Sequence, residues 1–158
     1  MKTRKRIFRA NKSKAEVLPD HIKQILAPYF PDFDLDHIRI FHGIPFYVTM
    51  DAAAYTDGNN LFFKPGFYDP DSIEGIALIG HEITHSVQFQ HHGKWKFRAS
   101  YLSKWGRQFK EHRNLNLAYF HNEFEIEARE VEQRIFDDLM QIERDDADQN
   151  FVLPNTKD

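Results

Sequence analysis

The chain has 158 residues, a formal net charge of −3 and no cysteine. That length suits one domain with a single hydrophobic core. The absence of cysteine excludes disulfides and any thiolate metal site, so a metal centre must draw on His, Asp or Glu. No segment approaches the ~20 apolar residues that span a bilayer. The N-terminus lacks the apolar run of a secretory signal, so the expected location is cytoplasmic before any export by a dedicated machine.

Charge is unevenly spread. Residues 1–14 carry Lys2, Arg4, Lys5, Arg6, Arg9, Lys12 and Lys14 with no acid, whereas the stretch from Glu123 to Asp148 is strongly acidic. A basic arm can bind nucleic acid or an acidic surface. No recognition motif accompanies it, so nucleic acid is not the expected partner. A solvated arm, or an address for an export or assembly machine, is the simpler reading. The expected organisation is a basic disordered arm over 1–16, a compact domain over 17–145 and a flexible tail over 146–158.

Along the chain, Asp20 can cap a short helix through His21–Leu26 that ends near Pro28. Ile38-Arg39-Ile40-Phe41 alternates and reads as a strand, and Phe46-Tyr47-Val48-Thr49 can pair as a second. Asp51 can cap a helical turn over Ala52–Ala54. Asp57-Gly58-Asn59 is a turn, followed by a strand over Asn60-Leu61-Phe62-Phe63. Placed just before the next helix, that strand is expected to form the rim of a cleft, as an edge that holds an extended peptide. Tyr101, Leu102, Trp105 and Phe109 suit another helix. From Leu117 through Phe120, Phe124, Ala128, Val131, Ile135, Leu139 and Ile142, apolar residues recur every three or four positions and predict a long amphipathic helix.

The most informative stretch is Gly80-His81-Glu82-Ile83-Thr84-His85, which reads H-E-x-x-H. On a helix, His81 and His85 share a face one turn apart and can bind one Zn²⁺, with Glu82 placed to take a proton from a metal-bound water. Asp71 or Ser72 can cap this helix and Gly93 can end it. Ile76, Ile79, Ile83 and Val87 follow the 3.6 period on the opposite side, towards a core. The histidine side is expected to face a cleft. A third ligand must come from elsewhere, and Glu123, Glu125 and Glu127 on the long helix all qualify. Periodicity does not choose among them.

Asn60–Phe63, Pro65-Gly66-Phe67-Tyr68-Asp69-Pro70 and Gly75–Gln88 together resemble the core domain of extracellular contractile injection systems, a family of compact H-E-x-x-H zinc-peptidase-like domains. Leu18-Pro19-Asp20 and Ile38–Gly43 resemble its opening helix and strand. The resemblance implies an α+β, zincin-like fold with a short N-terminal sheet, an H-E-x-x-H helix and a long C-terminal helix. Glu125-Ile126-Glu127-Ala128 further resembles the E-x-x-A-D segment of small gluzincin peptidases, which implies Glu125 as the third zinc ligand. Arg129 stands where that motif has Asp. A thermolysin-type N-E-x-x-x-D register would use Asn122-Glu123 and Glu127 instead.

The function expected is therefore a zinc metallopeptidase acting on a peptide or protein. His81, His85 and Glu125 would hold the metal, and Glu82 would be the general base. Tyr119, His112 and His121 are candidates to stabilise an oxyanion, Gln88 to support His85, and Trp95 and Tyr101 to wall the cleft. The alternative is a non-catalytic metal-binding module, carried as cargo or assembled into an injection or toxin system.

Overall fold

The computed structural model describes residues 14–45, 52–93 and 123–150. It is an α+β fold built from a four-stranded sheet and three helices among those residues. The strands are β1 (Glu16–Val17), β2 (Arg39–His42), β3 (Ala54–Asp57) and β4 (Asn60–Phe63). The helices are α1 (Asp20–Leu26), α2 (Ile73–His92) and α3 (Glu123–Asn150). None of the described helices is long and apolar enough to cross a membrane.

The sheet order is β1-β2-β4-β3. β1 runs antiparallel to β2, β2 parallel to β4, and β4 antiparallel to β3. The two-residue Gly58-Asn59 turn folds β3 back beside β4, and Gly58 supplies the positive φ of 66° that such a turn needs. Strand alternation then sorts the faces. Ile40, Leu61, Phe63, Ala54 and Thr56 are buried on the inner face. Phe41 and Phe62 stack at 4.9 Å on the outer one.

Three sequence expectations fail here. β4 is paired on both sides and is no edge; β3 takes the outer position next to α2. Ala54 begins a strand rather than closing a helical turn, because residues 54–57 satisfy their backbone groups against β4. Asp20 likewise lies in the first turn of α1 instead of capping it. Pro19 is the N-cap, and no side chain among the described residues bonds to that end. The strand expected at Phe46–Thr49 and the helix expected around Trp105 lie outside the described residues.

α2 begins where Ser72 Oγ accepts the Gly75 N–H at 3.1 Å and ends at Gly93, with φ 70°. Its apolar side, with Ile79 and Ile83 fully buried, packs on the sheet. Each such side chain contributes about 1.5–3 kcal/mol through burial. The opposite side does not open to solvent as the amphipathic reading suggested. α3 covers the histidines and Gln88, Thr56 of β3 reaches Glu82, and His81, Glu82, Thr84, His85, Ser86 and Gln88 are all buried. Contact between α2 and α3 is close at Gly80, where a Cβ would lie 2.3 Å from Ile135 Cδ1. Ile135 joins Leu26 of α1 and the inner sheet face in one core.

Candidate metal centre

Three buried side chains meet where α2 faces α3. His81 and His85 come from successive turns of α2, with ring centroids 4.9 Å apart. Glu125 comes from the first turn of α3 and is 2% exposed. One ligand atom from each lies within 4.8 Å of the others. Glu125 Oε1 is 3.1 Å from His85 Nε2, and Oε2 is 3.5 Å from His81 Nε2. The other two acids weighed for this place do not reach it. Glu123 and Glu127 are exposed, and Glu127 instead accepts from Gln88 Nε2 at 2.8 Å.

Outer contacts fix how each imidazole is presented. Gln88 Nε2 donates to the Phe124 carbonyl at 3.1 Å and to Glu127, both of which can only accept. Its Oε1 must therefore accept, so the His85 Nδ1–H donates to it at 2.9 Å. His81 Nδ1 lies 2.8 Å from Glu132 Oε2, and a carboxylate there makes Nδ1 the donor as well. In both rings Nε2 is left to face Glu125. Sequence reasoning had placed Gln88 as a possible support for His85 but had no reason to single out Glu132. Its one signal is spacing, since seven residues return to nearly the same helix face as Glu125.

Electrostatics follow from this enclosure. Burial disfavours charge on His81, yet the carboxylates of Glu125 and Glu132 outweigh it and raise its pKa to about 10. His85 is raised too: burial opposes charge there, and Glu125 overrides it. Burial likewise opposes ionisation of Glu125, but its contacts with the two imidazoles hold it well below the usual carboxylate range. Without metal both rings are thus biased towards their protonated forms around the Glu125 carboxylate, and any Nε2 proton is one that a cation would displace.

These residues fit a metal. Among the described residues, Glu125 Oε2 is a buried oxygen with no hydrogen-bond partner, a position a cation would satisfy. Two imidazole nitrogens and a carboxylate form an N,N,O donor set suited to first-row divalent ions.

Glu82 is not part of the triad. It is buried beside the histidines, and Thr56 of β3 donates to its Oε2 at 2.6 Å. Burial pushes its carboxyl up, against the nearby charges of His85 and His81. Thr56 escaped sequence reading because its strand did. Tyr119, His112, His121, Trp95 and Tyr101 lie outside the described residues.

Residues 17–93 match the family model of the eCIS core domain, the core domain of extracellular contractile injection systems. No curated protein and no solved structure matches the chain. The matched region covers the sheet, α1 and α2 with His81, Glu82 and His85, and stops before α3 with Glu125 and Glu132.

Proposed function

We propose that this domain binds one divalent metal, zinc in preference, through His81, His85 and Glu125, and acts as a metal-stabilised component of a contractile injection system or of a toxin it carries. The observation behind this reading is the convergence of three buried donors around an oxygen that has no hydrogen-bond partner among the described residues. Similarity to the eCIS core domain supplies the setting. The basic N-terminal arm suits an assembly partner with an acidic surface. Zinc in such a site supplies Lewis acidity and makes a bound water more acidic. The chain's own part is to present two neutral imidazoles and a carboxylate, and to bury them.

A second reading, a zincin-like peptidase, is favoured by one residue. Glu82 is a buried carboxylate beside both histidines, anchored at Oε2 by Thr56. Held there, it could take a proton from an attacking water at Oε1 and return it to a leaving amine. The strand beside it is β3, which leads the expectation of an extended peptide away from β4.

One experiment separates the readings. Purified wild type and Glu82→Gln are refolded with zinc, assayed for bound metal, and incubated with a peptide library. About one zinc per chain and equal peptide profiles support the assembly component. Cleavage by wild type alone establishes the peptidase. Protein that stays metal-free sinks both.

A further inference from the structure

The two histidines are held by unlike partners. His85 leans on Gln88, a buried amide whose orientation is locked by Phe124 and Glu127. His81 leans on Glu132, whose side chain is 34% exposed. Glu132 lines a cavity of about 400 Å³ between α2 and α3, together with Glu74, Ala77, Arg129, Gln133 and Phe136. One ligand is therefore supported from inside the protein and the other from a solvent-reachable pocket. Arg129 also lines that pocket, but a guanidinium has no acceptor to offer an imidazole N–H. The carboxylate that does reach His81 Nδ1 is three residues further along, at 2.8 Å.

We infer that Glu132 is the positioning residue for His81: it fixes the ring so that Nε2 points at Glu125, and it sets the strength with which this half of the site holds a metal. This rests on the metal-binding reading above. An acceptor at Nδ1 fixes the tautomer, holds the ring plane and makes Nε2 a stronger donor to a cation. Removing such a partner costs about 10–100-fold in metal affinity. Because the pocket opens to solvent, substitutions there change His81 without disturbing Gln88 and His85.

The test uses the full chain as wild type, Glu132→Gln, Glu132→Ala and Glu130→Gln, the last an exposed acid on the same helix. Zinc affinity is read by chelator competition, and the imidazole N–H protons of the zinc-loaded protein by NMR. Glu132→Gln is expected to lose about tenfold in affinity and Glu132→Ala up to a hundredfold. The Nδ1 proton of His81 should move while that of His85 stays, and Glu130→Gln should remain within about twofold of wild type. Glu132→Gln is nearly isosteric and keeps an acceptor oxygen but loses the negative charge that strengthens Nε2 as a donor, so it tests the carboxylate itself even if Glu132→Ala fails to fold. Equal zinc affinity and an unshifted His81 proton in Glu132→Gln would overturn the role of Glu132 alone. A wild type that binds no zinc would overturn the metal reading itself.

Discussion

Gly80 sets how closely α3 can approach α2, and Gly80→Ala tests whether that approach holds the site together. An added Cβ would lie 2.3 Å from Ile135 Cδ1 and 3.7 Å from Leu26 Cδ2. Ordinary contact between such carbons is about 3.5–4.0 Å, so Ile135 must swing aside or α3 must move outward. Ile135 is fully buried in the core, so any swing must be taken up by its neighbours there. Overpacking of this kind costs about 1–3 kcal/mol, while replacing a helical Gly with Ala returns about 1 kcal/mol of propensity. The expected net effect is a loss of about 1 kcal/mol. Ile135→Val deletes the offending methyl, at about 0.5–1.5 kcal/mol on its own. The double variant should then be at least as stable as Ile135→Val, a coupling of about 1–3 kcal/mol. Urea unfolding of the four proteins in chelator gives the cycle, and zinc affinity shows whether Glu125 has been carried away from the histidines. If Gly80→Ala is stabilising and additive with Ile135→Val, the close approach constrains nothing and the reasoning fails.

Other expectations can be checked directly. Glu125→Ala should reduce zinc affinity by at least a hundredfold, whereas Glu123→Ala should change it less than about threefold, because only Glu125 reaches the imidazoles; a larger effect from Glu123 in a chelator titration would move the third ligand. Metal-free stability should be full below the ordinary histidine pKa of 6.5 and fall as pH rises towards about 10, since over that window the folded protein binds the extra His81 proton. The slope is at most about 1.4 kcal/mol per pH unit for that one site. Zinc-dependent stabilisation should grow over the same range, because its ligands must be neutral; a metal-free Tm that rises from pH 7 to 9 contradicts this. Thr56→Val should cost about 1–3 kcal/mol by stripping a hydrogen bond from the buried Glu82 carboxylate, measured by denaturant unfolding.

Much of this was legible in the chain, and the failures have physical reasons. α2 could be read together with both ends, because Ser72, the Ile76-Ile79-Ile83 spacing and Gly93 are local signals. β2 and β4 were equally visible. β3 was not, because Ala52-Ala53-Ala54 carries helical propensity and only pairing with β4 makes Ala54 extended. The order of strands is a long-range property, so the strand nearest α2 in sequence was mistaken for its neighbour at the sheet edge. The third ligand was open to periodicity for a related reason. Where α3 meets α2, polar groups are buried beside the apolar contacts of Phe124, Ala128 and Ile135, so Glu125 and Glu132 face α2 without belonging to the apolar stripe that marks the helix. Resemblance to a known motif, not spacing, favoured Glu125. Nothing local marked Glu132.

The route of the chain through this site has a mechanical consequence. His85 and Glu125 are joined by residues 86–124, and the chain has no cysteine to tie that long segment back on itself. The His-His-Glu cluster instead brings the two ends of that segment together, as a clasp. A permanent covalent link across a loop of this size would remove about 4 kcal/mol of freedom from the unfolded chain. A non-covalent clasp captures part of that and can be undone. Protonated imidazoles would close it through ion pairs with Glu125, and a bound metal would close it by coordination. On the metal-binding reading, a chelator or a shift in pH would change how firmly α3 is fastened to the sheet-bearing half, with no bond in the backbone being made or broken.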